Sequence, residues 1–302
     1  MEPIIPFEPM ITNDIPAGEQ WIAQVKWDGT RMLTYCQNGQ VKLFNRKLNE
    51  RTKQYPEIHN YREYCRADSF IFDGEMIALQ DGKPSFYNVM KRDRIRKFAN
   101  LPLLIAEVPI IYMVFDLLYC NGKWMVDQPL SERQAMLAEV LLPNAAVQMV
   151  ESFSDKLGLY QACMDKELEG VVFKNLTSAY TIGGKDARWL KRKKESDLIA
   201  YVGGVSYRGN VVNSLDLGIW NKENEFVYIG SAGGGKLSVR DWKDVTHAVQ
   251  QIIQFDSPFS NYRQPETNLE HHWIQPVLQV KVAFLEWTQS HTLRQPIIQA
   301  FV

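Results

Sequence analysis

No stretch of this 302-residue chain approaches the roughly 20 consecutive apolar residues that a bilayer crossing needs, so no segment reads as a membrane-spanning helix. A secretory leader is missing as well: the first ten residues, MEPIIPFEPM, are acidic and broken by proline, with no basic start or apolar centre. Cysteine is scarce. The four present, Cys36, Cys65, Cys120 and Cys163, are scattered, with no pair at zinc-site spacing and nothing that asks for disulfides, so a reducing, cytoplasmic location is expected. Positive charge is not in excess either. A formal net charge of −1 excludes a surface coated in basic residues, although a local basic stripe suffices for nucleic acid. Internal repeats and low-complexity linkers are absent.

What remains is ordinary globular material, 45% hydrophobic and 12% aromatic, in a chain long enough for two cores. Residues 21–26 and 31–36 alternate as strands do. Asp28-Gly29 between them predicts a hairpin, because glycine supplies a positive φ, with Lys26 at its mouth and Arg31 across the turn. On that evidence alone the two cations decorate a solvated tip. Asn38-Gly39 marks a second turn before a strand at 41–45, which makes an antiparallel meander. A strand follows at 69–79, interrupted at Asp73-Gly74, and then a helix-compatible basic segment at 84–98. The apolar run 110–119 reads as a buried strand. Residues 131–142 read as a helix capped by Ser131, and 169–175 as another strand. The basic stripes at 91–97 and 191–194 are, each taken alone, more often solvated faces than binding patches. From about residue 196 glycines cluster between short strands, the texture of a small β-barrel with glycine at its corners. The expectation is an α+β chain with domains 1–195 and 196–302.

Six segments then occur in a telling order: KWDGTR (26–31), NRKLNERTKQYPEI (45–58), FDGE (72–75), VFDLLY (114–119), EGVVFK (169–174) and WLKRK (189–193). In this order and spacing they resemble the nucleotidyltransferase motifs of ATP-dependent DNA ligases, in particular the minimal bacterial and phage forms and the ligase domain of bacterial end-joining ligases. The resemblance covers most of the chain. It implies an adenylation domain of antiparallel sheets with helices, followed by an OB-fold barrel that binds DNA backbone.

In that family a lysine attacks the α-phosphate of ATP and forms a lysyl-adenylate. The AMP passes to the 5′-phosphate of a nick, and the 3′-hydroxyl then displaces it. An ammonium cannot attack, so such a nucleophile works where burial or neighbouring cations favour the neutral amine. The resemblance makes Lys26 the nucleophile. Arg31, Lys174, Lys191 and Lys193 would surround the phosphates with positive charge. Glu75 and Glu169 are hard oxygen ligands suited to Mg²⁺, or Mn²⁺ in its place, with Glu75 also near the ribose. Arg46 corresponds to an arginine contacting ribose and the nick phosphate. Phe115 corresponds to an aromatic that stacks on adenine, although a Phe in an apolar strand otherwise reads as core. Trp189 reads as packing.

Arg31 points to ATP rather than NAD, since the NAD enzymes carry small residues after their KxDG. The chain also starts too close to Lys26 for an NMN-recognition domain and lacks zinc cysteines. Departures from the family are Gln24, where relatives have a glutamate that accepts from the adenine amino group, and Lys185, where they have arginine. The family's basic R-x-D-K motif is also missing after LRQP (293–296), which leaves Arg294 as the candidate pyrophosphate contact. The expected partner is nicked double-stranded DNA, with a Ku-like end-binding protein as a further candidate, no membrane, and a monomeric state. Competing readings are an RNA ligase, an mRNA-capping-type nucleotidyltransferase and a catalytically silent nucleic-acid-binding protein on the same fold.

Overall fold

The computed structural model describes residues 1–194, 196–234, 237–262, 270–288 and 290–302. The chain divides into two compact units, Met1–Lys194 and Glu195–Val302.

In the first unit the strands are β1 (Met10–Ile11), β2 (Trp21–Val25), β3 (Thr30–Gln37), β4 (Gln40–Asn45), β5 (Phe70–Gln80) and β6 (Lys83–Pro84). Two helices follow, α1 (Phe86–Asp93) and α2 (Leu101–Glu107), then β7 (Ile110–Cys120), β8 (Lys123–Trp124), α3 (Leu130–Val140), β9 (Val147–Met149), α4 (Lys156–Asp165), β10 (Gly170–Asn175) and β11 (Trp189–Lys193). They form two sheets. One is ordered β4-β3-β5-β7-β8, with β6 beside β5 and β9 parallel to β7; the other is ordered β1-β11-β10-β2.

The larger sheet is covered on both faces, which is why its strands read as near-continuous apolar runs. Along β3, Met32 and Cys36 enter one core while Leu33 and Tyr35 enter another with Phe7, Tyr180 and Trp189. The second core is closed by edge contacts between rings: Phe7 lies 5.3 Å and Tyr180 5.8 Å from Trp189, centroid to centroid. Trp189 is 2% exposed, and burial of this kind stabilises by about 1.5–3 kcal/mol per large side chain. Helix α3 is fixed to β7 by a fully buried bidentate pair, Arg133 Nε and Nη2 donating to Asp116 at 2.8 Å each.

Several expectations are corrected. The strands flanking Asp28-Gly29 do not form a hairpin: β2 pairs with β10, and β3 pairs with β4 and β5. The turn instead links the two sheets. Gly29 is required not by a positive φ but by crowding, since a Cβ there would lie 2.1 Å from the Met76 carbonyl oxygen. Strand β5 runs through Asp73-Gly74 with only a register shift against β7. Gly74 is needed because the Tyr112 ring lies where its side chain would be. The N-cap of α3 is Pro129, with no side-chain cap, and not Ser131. The helix expected over 84–98 is short, α1 being capped by Ser85 and ending at Asp93.

The second unit contains β12 (Ser196–Arg208), β13 (Val211–Trp220), β14 (Phe226–Ala232), α5 (Val239–Val249), β15 (Ile253–Gln254), β16 (His271–Ile274), β17 (Gln279–Phe284) and β18 (Ile297–Phe301). Strand β12 is long enough to pair with β13 along one edge and with β17 and then β16 along the other. The core is aliphatic, with Val205, Leu217, Val280 and Ile298 under Val245 and Val249 of α5. Not all the glycines mark corners. Gly203 and Gly218 sit inside strands, where a Cβ would come within 2.7 Å of the stacked Phe226 and Phe259 rings. Residues 235 and 236, at the end of the run IGSAGGGK, lie outside the described residues.

Candidate active site

The two sheets of the first unit face each other across an open pocket. Gln24, Val25 and Lys26 reach it from the end of β2, Val172 and Lys174 from β10, and Trp189 from β11. Arg31, Glu75 and Phe115 come from β3, β5 and β7, and Pro9 and Trp27 complete the wall.

Lys26 Nζ donates to Glu169 Oε2 at 2.6 Å, and Lys193 Nζ lies 3.2 Å from Glu169 Oε1. One carboxylate thus holds two ammonium groups, each about a fifth exposed. Glu169 sits just before β10, and the antiparallel register of β10 with β2 and β11 brings the three side chains together.

Arg31 is clamped by Asp73: Nε donates to Oδ1 and Nη2 to Oδ2, both at 2.6 Å, while Nη2 also donates to the Phe7 carbonyl at 3.1 Å. Tyr180 donates to the same Asp73 Oδ2 at 2.8 Å. Burial works against the guanidinium charge, but the Asp73 carboxylate overrides it and holds Arg31 above its ordinary range. Its cation lies 4.7 Å from the Phe115 ring centre.

Lys174 has less compensation. It is 2% exposed, with Nζ 4.1 Å from the centre of Phe115 and 4.0 Å from that of Trp189. Burial pulls its pKa down to about 7, against the attraction of Asp116. Glu75 is displaced the other way. Burial pushes it up to about 8, Lys26 and Arg31 oppose this, and Glu169 and Asp28 add to it. Lys191 is lowered by burial and then by Lys193 and Lys26.

Gln24 is 2% exposed, and its Nε2 donates to Ser152 Oγ at 3.0 Å. Glu169, Lys191, Lys193, Arg46 and Lys185 are not among the residues that line the pocket. Arg46 pairs with Glu8 at 3.0 Å, and Lys185 approaches the other oxygen of Glu8 at 4.0 Å. Arg294 belongs to the second unit, where Nη1 donates to Glu286 at 2.7 Å and the side chain is 15% exposed.

Sequence reasoning passed over Asp73, Tyr180, Glu8 and Ser152. Asp73 carried a signal, since it stands two residues before Glu75 and so on the same face of one strand. Tyr180, Glu8 and Ser152 carried none. They are brought in by tertiary contacts from loops and from the N-terminal segment.

Comparison with known proteins gives two family matches: the ATP dependent DNA ligase domain over residues 10–193 and the ATP dependent DNA ligase C terminal region over residues 208–301. The chain is 29% identical over 265 residues to DNA ligase 2 of Methanosarcina acetivorans, covering 82% of this chain and 46% of that protein. It is 26% identical over 269 residues to the DNA ligase of Thermococcus fumicolans, covering 82% and 48%. The chain therefore spans about half the length of these relatives. Among solved structures, mycobacterial DNA ligase D complexed with ATP and MES aligns over 99% of this chain and 95% of its own, with TM-score 0.55 and 24% identity. A structure of the Lig E DNA ligases aligns over 98% and 99%, with TM-score 0.63 and 14% identity. At these identities the structural likeness speaks to fold: a nucleotidyltransferase domain followed by an OB-fold.

Proposed function

Because this chain belongs to the ATP-dependent DNA ligase family, we propose that it seals nicks in duplex DNA through a lysyl-AMP intermediate on Lys26. The observation that carries the reading is the pocket itself. Lys26 stands at the end of β2, and Arg31 and Lys174 converge on the same space between apolar walls that include Phe115 and Trp189.

In this reading Phe115 stacks on the base, and Gln24 accepts from the adenine amino group. Glu75 lies toward the ribose. Lys26 Nζ, which donates to Glu169 Oε2, gives up a proton to solvent before it attacks. The neutral amine then forms the N–P bond at the α-phosphorus as the bond to pyrophosphate breaks, and pyrophosphate leaves with the electron pair. Arg31, Lys174, Lys191 and Lys193 offset the charge that grows on the phosphate oxygens. Arg46 serves the nick phosphate later in the cycle, and Arg294 the departing pyrophosphate.

Among the described residues no cluster of three or more His, Cys, Asp or Glu forms a closed metal cage. The donor set nevertheless fits magnesium, which takes one or two protein carboxylates and fills its remaining positions with water and phosphate oxygens. Glu75 and Glu169 would hold Mg²⁺, or Mn²⁺ in its place, and the ion would supply further neutralisation of phosphate charge.

We assign adenylation to residues 1–195 and duplex binding to residues 196–302. The reading includes a monomer acting in the cytoplasm, with a Ku-like end-binding protein as its partner at broken ends. Among the described residues no helix is long and apolar enough to cross a membrane.

The test is covalent labelling. The protein is incubated with α-³²P ATP or GTP and Mg²⁺, denatured and run on a gel, and in parallel offered nicked DNA or nicked RNA duplexes. Label from ATP with sealing of nicked DNA is expected. Label from GTP alone means a capping-type enzyme, sealing confined to RNA means an RNA ligase, and no label means a binding protein.

A further inference from the structure

Gln24 raises a problem that a glutamate in its place would not. A carboxylate can only accept hydrogen bonds, whereas a primary amide accepts at one end and donates at the other. Turned one way it meets the amino group of adenine. Turned the other way it meets the carbonyl oxygen of guanine. Something must decide which end faces the pocket.

We infer that Ser152 decides it and is thereby a positioning residue for nucleotide choice. Ser152 is held beside Gln24 by backbone: Ala23 and Phe153 form a two-way bridge, Ala23 N to Phe153 O at 2.8 Å and Phe153 N to Ala23 O at 2.9 Å. The serine one residue before that bridge therefore meets the glutamine one residue after it. Its Oγ accepts from Gln24 Nε2 at 3.0 Å and from Gln134 Nε2, on α3, at 3.2 Å. With two amide donors converging on one hydroxyl oxygen, the oxygen is an acceptor in both bonds. That ties down the donor end of Gln24. The side-chain hydrogen bond that Gln24 makes to Ser152 runs through Nε2, and Gln24 lines the pocket. The end left to a ligand is the accepting one, which selects a base bearing an exocyclic amino group at that edge.

Gln134 acts one step further out. It fills the second lone pair of Ser152 Oγ, so that with both amides donating the serine's one proton points away from both nitrogens. The family's carboxylate is thus reproduced here by three neutral side chains, and the selectivity belongs to the set.

The inference rests on the pocket binding a purine nucleotide at Gln24, as proposed above, and the experiment separates the two. Self-labelling rates are measured with α-³²P ATP and α-³²P GTP for the wild type, Ser152→Ala, Gln24→Glu and the double variant. Ser152→Ala frees the amide to turn, so its ATP-over-GTP rate ratio should fall about tenfold, the scale of one mispaired hydrogen bond. Gln24→Glu cannot turn, so adding it to Ser152→Ala should restore the ratio. A serine that merely supported the fold would lower both rates together and leave the ratio unmoved. An unchanged ratio in Ser152→Ala, or a lowered ratio that Gln24→Glu does not restore, overturns the inference. Absence of label in the wild type overturns the nucleotidyltransferase reading itself.

Discussion

Glu75→Gln should make the ligand-free protein more stable at alkaline pH while harming its chemistry. The carboxyl is pushed from its usual 4.5 to about 8 by enclosure in the pocket, Lys26 and Arg31 notwithstanding. Between those two values the unfolded chain has released a proton that the folded chain retains. Folding stability therefore falls as pH rises through this window and is fully present only below it. At about 1.4 kcal/mol per unit, the shift bounds the loss at about 5 kcal/mol. Water entering an open pocket raises the effective dielectric, and about half of that bound is the sensible expectation. Glutamine has no proton to lose. At pH 5 the variant and wild type should melt together, and by pH 8.5 the variant should be ahead by about 2 kcal/mol, or 4–8 °C for a unit of this size. Lys174, lowered to about 7, works oppositely: its charged form is a burden below pH 7 that lifts as pH climbs toward the lysine range. That contribution is common to both proteins and cancels in the comparison. Differential scanning fluorimetry from pH 5 to 9 decides the matter. A difference that stays flat with pH, or a variant less stable at pH 8.5, would mean that Lys26 and Arg31 keep Glu75 ionised and that burial does not govern it.

Lys26→Ala should abolish covalent labelling while leaving the melting temperature within about 2 °C, because the side chain is only partly buried and Glu169 keeps Lys193 as a partner; label persisting in a folded variant would remove Lys26 as nucleophile. Asp73→Ala leaves the Arg31 guanidinium enclosed without its carboxylate, so a loss of about 3–5 kcal/mol in thermal or urea unfolding is expected. A loss below about 1 kcal/mol would show that Arg31 swings out to solvent. Gly29→Ala places a methyl against the Met76 carbonyl oxygen, and a drop of at least about 2 kcal/mol should follow, read as a fall of several degrees in melting temperature.

What was legible in the sequence follows from what periodicity encodes. The apolar run at 110–119 and the strand at 169–175 are visible because burial on both faces leaves a continuous signature. Glycine in a strand was harder to read. Asp28-Gly29 looked like a hairpin because alternation reports that a segment is a strand and says nothing of its partner, and the partner of β2 is β10, far along the chain. Gly29 and Gly74 answer to neighbours distant in sequence, a carbonyl and a tyrosine ring, and no local pattern records such crowding. Of the candidate site residues, Gln24, Lys26, Arg31, Glu75, Phe115 and Lys174 all line one pocket. Motif order carried those positions. The partners that orient them, Asp73 and Ser152, are set by register and loop docking, which the motifs do not spell out.

The link between the sheets has a practical side. Lys26 follows the last residue of a strand in one sheet and Arg31 is the second residue of a strand in the other, so a chain with both sheets formed but undocked owns every functional group and no pocket. Under the proposed function, covalent label would therefore serve as a titrant of assembly. The ratio of label to total protein in a preparation would then report the fraction of molecules whose sheets have closed on each other, and so expose an undocked fraction that spectroscopy of the backbone, blind to docking, would pass as native.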